Sequence, residues 1–191
     1  MLRILLIDNF DSFTYNLVQL IRETEIPHRL KIVTNMETSD EQISGYDKVL
    51  ISPGPGLPQE SGNLMQWITA CAARHSILGV CLGHQALACH FGASLRQLPQ
   101  SFHGFRSLLY INSNSSGIFK NIPTSIQCGR YHSWVVDENT LPADIHPTAF
   151  DPAGHIMAFA HNTLDIQAVQ FHPESFMTEH GLKMMHNWLT G

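Results

Sequence analysis

Charge is scarce in this sequence of 191 residues. Asp, Glu, Lys and Arg make up 14 %, and 11 Lys and Arg face 16 Asp and Glu, for a formal net charge of −5. A surface that tracks nucleic-acid phosphates draws its affinity from clustered Lys and Arg, so no nucleic-acid partner is expected. Long apolar runs are missing as well: the longest clean ones, Ile4–Ile7 and Val49–Ile51, are strand-sized. Spanning a bilayer takes ~20 apolar residues, so no membrane partner is expected either. The opening Met1-Leu2-Arg3-Ile4 enters a strand at once and leaves no room for a signal peptide. Cys71, Cys81, Cys89 and Cys128 form no C-x-x-C pair and no framework spacing, which predicts free thiols and a cytoplasmic protein. None of the 12 histidines lies in H-E-x-x-H or another ligand spacing, so no metal is expected.

What is present is apolar: hydrophobic residues make up 43 % of the chain, which predicts a packed globule and not a disordered tail. The length fits one domain over residues 1–191 that buries roughly 70 % of its unfolded surface without a disulfide or metal staple. So thin a polar population also predicts that a partner covers part of the surface.

The first half alternates strand and helix. Arg3–Ile7 is an aliphatic run of the kind buried on both faces of a parallel sheet, and the polar turn Asp8–Ser12 can cap the next helix through Asp11 or Ser12. Phe13, Leu17, Leu20 and Ile21 recur on one helical face, and Leu30–Val33 and Lys48–Ile51 follow as strands. Two prolines and two glycines make Ser52-Pro53-Gly54-Pro55-Gly56 a loop. A helix carrying Leu64, Trp67, Ile68, Cys71 and Ala72, a strand at Ile77–Val80 and a helix from about Gly83 to Phe91 complete this half. From about residue 93, short strands succeed one another at Leu108–Ile111, Ile126–Gly129, Ser133–Val136, Ile145–Phe150, Ile156–Ala160 and Ile166–Phe171. A last helix from about Thr178 to Leu189 turns Leu182, Met185, Trp188 and Leu189 inward, and Asn112–Gly117 is the most mobile-looking loop. The pattern predicts an α/β fold: an open, mostly parallel, flavodoxin-like sheet with helices on both faces and added antiparallel strands.

Gly79-Val80-Cys81-Leu82-Gly83 has the G-x-nucleophile-x-G form where a strand turns into a helix. Glycines flanking the turn let the backbone fold sharply, the helix N-terminus favours a thiolate, and the Leu82 N–H can donate to a developing oxyanion. A small buried cysteine in a close-packed turn would read the same way. A cysteine nucleophile needs a base oriented by a third group, and Gln170-Phe171-His172-Pro173-Glu174-Ser175 offers an imidazole and a carboxylate at a strand exit. A capped strand end is the bland alternative. In a parallel sheet the Ser52–Gly56 loop converges on the same carboxyl edge, as a substrate cradle or a rigid connector; with no G-K-[ST] after it, it is not a phosphate loop. Arg130-Tyr131-His132-Ser133-Trp134 could line a pocket or simply pack, and Asp8 and Asp11 fit turn and cap better than a Mg²⁺ pair.

Taken together, Asp8–Asn16, Ser52–Gly56, Gly79–Gln85, Arg130–Ser133 and Gln170–Ser175 resemble the class I (triad) glutamine amidotransferases across nearly the whole chain. The Asp8–Asn16 segment is similar to the branch that supplies anthranilate synthase and aminodeoxychorismate synthase. The resemblance implies Cys81 as nucleophile, His172 as acid–base and Glu174 as the group orienting it. It implies an oxyanion hole of the Gly54 and Leu82 N–H groups, and a glutamine site formed by Gly54, Pro55, Gly56, Gln85, Ser133 and Trp134. It also implies L-glutamine as substrate and no cofactor for the glutaminase step. The partner it implies is a chorismate-binding synthase subunit, to which Mg²⁺ would belong. Two positions depart from the family: Phe105 follows His103-Gly104 where a Lys is usual, which bears on the partner, and Trp134 replaces the commoner Leu. Rival readings are a glutaminase for GMP or carbamoyl phosphate synthesis, a non-catalytic interaction module, and a free-standing cysteine hydrolase. Class II amidotransferases use an N-terminal cysteine, whereas this sequence begins Met1-Leu2.

Overall fold

Aliphatic runs separated by amphipathic stretches fold here into strands with helices laid across them. The computed structural model describes residues 1–38, 41–113 and 116–191. In chain order these form β1 (Leu2–Asp8), α1 (Thr14–Glu23), β2 (His28–Thr34), β3 (Lys48–Ile51), α2 (Leu64–Cys71), β4 (Ser76–Val80) and α3 (Leu82–His90). Then follow β5 (Leu95–Gln97), β6 (Phe105–Ile111), β7 (Ser125–Arg130), β8 (Trp134–Val136), β9 (Ile145–Phe150), β10 (Ile156–His161), β11 (Ile166–Val169) and α4 (Gly181–Thr190).

Nine of the described strands build one sheet in the order β2-β1-β3-β4-β11-β10-β9-β6-β7. The first five run parallel, and β10, β9, β6 and β7 extend the sheet antiparallel. Side chains alternate between the two faces with the strand period of two. Ile4 and Leu6 of β1 therefore join the core beneath α1 and α4, while Leu5 and Ile7 join the one beneath α2 and α3. No described helix is long and apolar enough to cross a membrane.

The expected α/β architecture is present, with local differences. Strand β11 is parallel to β4 and stops at Val169, opposite Val80, because β4 ends there and its chain turns away into α3. Strand β8 leaves the main sheet and pairs antiparallel with β5, a three-residue strand the sequence pattern did not signal. Helix α4 begins at Gly181, later than expected, because residues 175–178 are taken up by turns in which Ser175 N–H donates to His172 O and Thr178 N–H to Ser175 O. Leu182, in the first turn of α4, is exposed; Met184, Met185, Trp188 and Leu189 carry the buried face. Of the loop at 112–117, residues 114 and 115 lie outside the described residues.

The strand order reverses direction between β1 and β3, and open α/β sheets bind ligands at the carboxyl ends of the strands beside such a point. The chain exits of β1, β3, β4 and β11 lie along that edge, carrying Asn9, Ser52, Cys81 and Gln170.

Candidate active site

Cys81 leaves β4 with φ +52° and ψ −99°, and becomes the residue preceding α3. A side chain held in so sparsely populated a region costs of order 1–3 kcal/mol and persists only where the surroundings enforce it. The enforcement is visible on both sides: Cys81 N–H donates to Val169 O (2.8 Å) and Cys81 O accepts from Gln85 N–H (3.1 Å). The flanking glycines work differently from the sequence reading. Neither Gly79 nor Gly83 has positive φ, so they do not supply the bend. A Cβ at Gly79 would lie 2.6 Å from Leu87 Cδ1 and 2.7 Å from the Gly83 backbone, and one at Gly83 would lie 2.7 Å from Ile51 O. Their role is to let α3 settle directly onto β3 and β4, which holds the bend at Cys81. Leu82 is the first helical residue, so its N–H is one of the donors that a helix leaves unpaired, at the end that favours negative charge.

His172 lies in the segment that leaves the next parallel strand, past the end of β11 at Val169. Its N–H donates to Gly129 O (3.1 Å) and its O accepts from Thr178 Oγ1 (2.6 Å), which pins the residue between β7 and the segment leading to α4. His172 Nδ1 meets Glu174 Oε1 at 2.6 Å, both side chains being almost wholly buried. Phe13 and Tyr131 pack against the imidazole with ring centroids at 5.3 Å and 4.7 Å. His172 Nε2 is buried without a hydrogen-bond partner among the described residues. Burial disfavours the imidazolium, but the Cys81 sulfur and the Glu174 carboxylate outweigh it, holding the His172 pKa well above its ordinary value. The resulting arrangement is a buried acid–base next to a sulfur, with a carboxylate fixing its far nitrogen.

The Ser52–Gly56 segment is a loop, as expected, and it is braced from β1. Asn9 N–H donates to Ser52 Oγ (2.8 Å), Asn9 Nδ2 donates to Ser52 O (2.8 Å), and Asn35 Nδ2 donates to Asn9 Oδ1 (3.1 Å). A Cβ at Gly54 would lie 2.5 Å from Asn9 Cβ and 2.6 Å from Leu82 Cδ2, so Gly54 and Leu82 are in direct apposition. Pro55 and Gly56 are exposed at the loop tip. Gln85 is buried in α3, its Nε2 donating to Trp134 O (2.9 Å) and to Gln170 Oε1 (3.1 Å). The Ser133 hydroxyl pairs with that of Ser101, which in turn meets His103 Nε2 at 2.7 Å. Cys81, Leu82, Gly54, His172 and Glu174 thus converge, Gln85 and Trp134 adjoin them, and Ser133 is tied to the 101–103 segment. Asp8 and Asp11 serve the turn: Asp8 Oδ1 accepts from Phe10 N–H (3.0 Å) and Thr14 Oγ1 (2.7 Å), and Asp11 Oδ1 from Phe13 N–H (2.7 Å). Phe13, and not Asp11 or Ser12, takes the N-cap position of α1, with no side-chain capping bond. Among the described residues no three His, Cys, Asp or Glu side chains are grouped to hold a metal.

Several neighbours of the site carry no sequence signal. Asp151, legible in the sequence only as a turn residue, is buried and accepts from Arg130 Nη1 (2.7 Å) and His155 Nδ1 (2.8 Å). Phe13 and Tyr131 belong to sequence motifs that do not foretell their contact with His172. Phe105, in place of the usual Lys, is half exposed at the start of β6 and meets Phe102 edge-on.

A sequence profile of the glutamine amidotransferase class-I family matches residues 5–191. The chain is 42 % identical to anthranilate synthase component 2 of Mycobacterium tuberculosis over 99 % of this chain and 82 % of that protein. It is 40 % identical to the aminodeoxychorismate/anthranilate synthase component 2 of Bacillus subtilis over 97 % and 95 %. Among solved structures, a Thermoplasma acidophilum protein provisionally assigned to GMP synthase superposes with a TM-score of 0.87 and 29 % identity, covering 100 % of this chain and 93 % of that one.

Proposed function

The chain belongs to the glutamine amidotransferase class-I family, and on that premise we propose that it is the glutaminase subunit of a chorismate-aminating synthase. The observation that carries the reading is the strained Cys81 beside the buried His172–Glu174 pair, past the ends of neighbouring parallel strands. A raised His172 pKa favours an imidazolium beside the Cys81 sulfur in the resting site. The thiolate attacks the side-chain carboxamide carbon of L-glutamine, and the oxyanion that forms is met by the Gly54 and Leu82 N–H groups. The C–N bond then breaks as His172 gives its proton to the departing ammonia, leaving a γ-glutamyl thioester on Cys81. His172 next takes a proton from water, whose oxygen attacks the thioester; glutamate leaves and the thiolate and imidazolium are restored. Glu174 holds the imidazole in register and balances its charge through both steps. Gln85, Pro55, Gly56, Ser133 and Trp134 complete the glutamine site in this reading. The half-reaction draws only on protein groups and water and calls for no cofactor; Mg²⁺ belongs to the synthase partner.

Exposed aromatics support a partner beside the site. Phe10 is 60 % exposed just past β1, Phe105 is 52 % exposed, and Phe176 is 91 % exposed two residues beyond Glu174. Apolar groups left in water around a site of this kind are suited to a docked subunit that receives ammonia. The relatives' names include both anthranilate and aminodeoxychorismate synthesis, and a subunit that delivers ammonia is indifferent to which ring position is aminated. Four cysteines, all unpaired, fit a cytoplasmic setting.

Substituting Cys81→Ala is expected to abolish glutamate release while the reconstituted synthase still works with ammonium supplied. Glutamate release at the wild-type rate from that variant refutes the assignment. The structural likeness to the Thermoplasma protein favours one second reading, ammonia supply to GMP synthesis. An ammonia-transfer assay with each purified synthase decides between them by which one forms product.

A further inference from the structure

Behind the nucleophile, buried polar side chains are joined end to end. Gln170, with no exposure at all, donates from Nε2 to Cys81 Sγ (3.6 Å) and accepts at Oε1 from Gln85 Nε2 (3.1 Å), which also donates to Trp134 O (2.9 Å). A main-chain carbonyl can only accept, so the Gln85 atom facing Trp134 O is the amide nitrogen. That nitrogen also faces Gln170, so the Gln170 atom opposite it is the oxygen. The Gln170 NH₂ is thereby left turned towards the sulfur. The same carbonyl accepts from His132 Nδ1 (3.0 Å), which places that ring's proton there and leaves its Nε2 to accept from Arg130 Nε (3.1 Å). Arg130 is anchored in turn by Asp151 (2.7 Å). Burial, reinforced by the Arg130 charge, pushes the His132 pKa down to about 3, so the ring stays neutral and the order of donors and acceptors is fixed near neutral pH.

We propose that Gln170 is a dedicated donor to the nucleophile, its amide N–H aimed at Cys81 Sγ by a hydrogen-bond chain running from Asp151 and Arg130 through His132, the Trp134 carbonyl and Gln85. The proposal rests on the reading of Cys81 as the nucleophile. An N–H donor stabilises the thiolate over the thiol and limits the directions in which the sulfur can point. It acts from the first residue past β11, whereas the titratable groups facing the sulfur, His172 and Glu174, lie further along the same exit; His84 in α3 is buried and neutral. The chain also joins the nucleophile to Gln85 and Trp134, so the sulfur and part of the glutamine site share one scaffold.

The test follows alkylation of Cys81 by iodoacetamide against pH, read by mass spectrometry of the Cys81 peptide, in the wild-type, Gln170→Met and Gln170→Glu chains. Loss of the donor in Gln170→Met is expected to raise the midpoint of reactivity by about one pH unit, a roughly tenfold slower reaction below the midpoint. Gln170→Glu is expected to raise it further, because its carboxylate faces the thiolate. An unchanged midpoint in either folded variant overturns the proposal. Should neither variant fold, the wild-type chain supplies the answer: the Gln170 side-chain amide proton resonance is expected to move with the alkylation midpoint, and a resonance that ignores it overturns the proposal. Glutamate release lost in Cys81→Ala with an unmoved Gln170→Met midpoint removes this proposal and keeps the glutaminase reading. Glutamate release retained in Cys81→Ala removes both.

Discussion

Replacing Cys81 by glycine is expected to give a more stable protein than replacing it by alanine, the reverse of the ordinary order. At most positions glycine costs 0.5–1 kcal/mol relative to alanine, as an order of magnitude, because the unfolded chain gains freedom. At Cys81 the backbone is held at φ +52° and ψ −99°, where a Cβ costs about 1–3 kcal/mol and glycine nothing. Against that relief stand the entropy term and up to ~0.8 kcal/mol for one buried methyl group. At the middle of each range, with the full methyl term, the difference is about 0.5 kcal/mol in favour of Cys81→Gly, or a melting temperature about 1–2 °C higher for a chain of this size. Both variants lack the sulfur, so its interaction with His172 drops out of the comparison. Calorimetric unfolding of the two at one pH measures the difference, with glutaminase activity absent from both as a control. Cys81→Gly melting below Cys81→Ala by the customary margin would refute the claim that strain is stored at this residue.

Glu174→Gln keeps the shape of the His172 partner but removes its charge, and glutamate release is expected to fall by ~10² or more, measured as kcat at saturating glutamine. Asp151→Asn leaves buried Arg130 without its counter-charge and is expected to cost about 3–5 kcal/mol in chemical denaturation. His84 is buried against Phe159 with no hydrogen-bond partner on either ring nitrogen among the described residues, and burial pushes its pKa down to about 3. The unfolded chain therefore binds this proton first, and stability falls with pH below about 6.5 by up to ~1.4 kcal/mol per pH unit. His84→Phe is expected to flatten that slope, followed by denaturation midpoints between about pH 5 and 7. A methyl group at Gly181 would collide with the Pro173 carbonyl, so Gly181→Ala is expected to lower glutamate release more than a neutral surface change, by shifting the turn that carries His172 and Glu174.

Much of the fold can be read from β1, β3 and β4, whose aliphatic runs are bounded by turn residues and buried on both faces. Pairing is less legible. The run at Ser133–Val136 has strand composition, but nothing local indicates that Trp134–Val136 joins Leu95–Gln97 and not the main sheet. Cys81, His172 and Glu174 stand out because each lies in a short motif at a strand exit. The support behind them does not: Gln85 and Gln170 are 85 residues apart and Arg130 and Asp151 are 21 apart, so neither contact leaves a local trace. The flanking glycines of the Cys81 turn suggest a bend in the sequence, and only the backbone torsions distinguish that role from close helix packing.

Since β4 and β11 are hydrogen-bonded neighbours in register up to Val80 and Val169, Cys81 and Gln170 leave the sheet side by side, and the imidazole of His172 follows two residues later. The imidazole lies past the end of β11, in a segment tied down by Gly129 O and Thr178 Oγ1, so its place beside the sulfur rests on those two bonds as well as on the ladder. Drawing the two apart would mean breaking those bonds or unzipping a ladder sealed between two apolar layers. A docked subunit that throttles catalysis therefore acts more readily on the surrounding segments that admit glutamine, such as the exposed tip at Pro55 and Gly56 or the stretch around Ser101, than on the buried reacting pair.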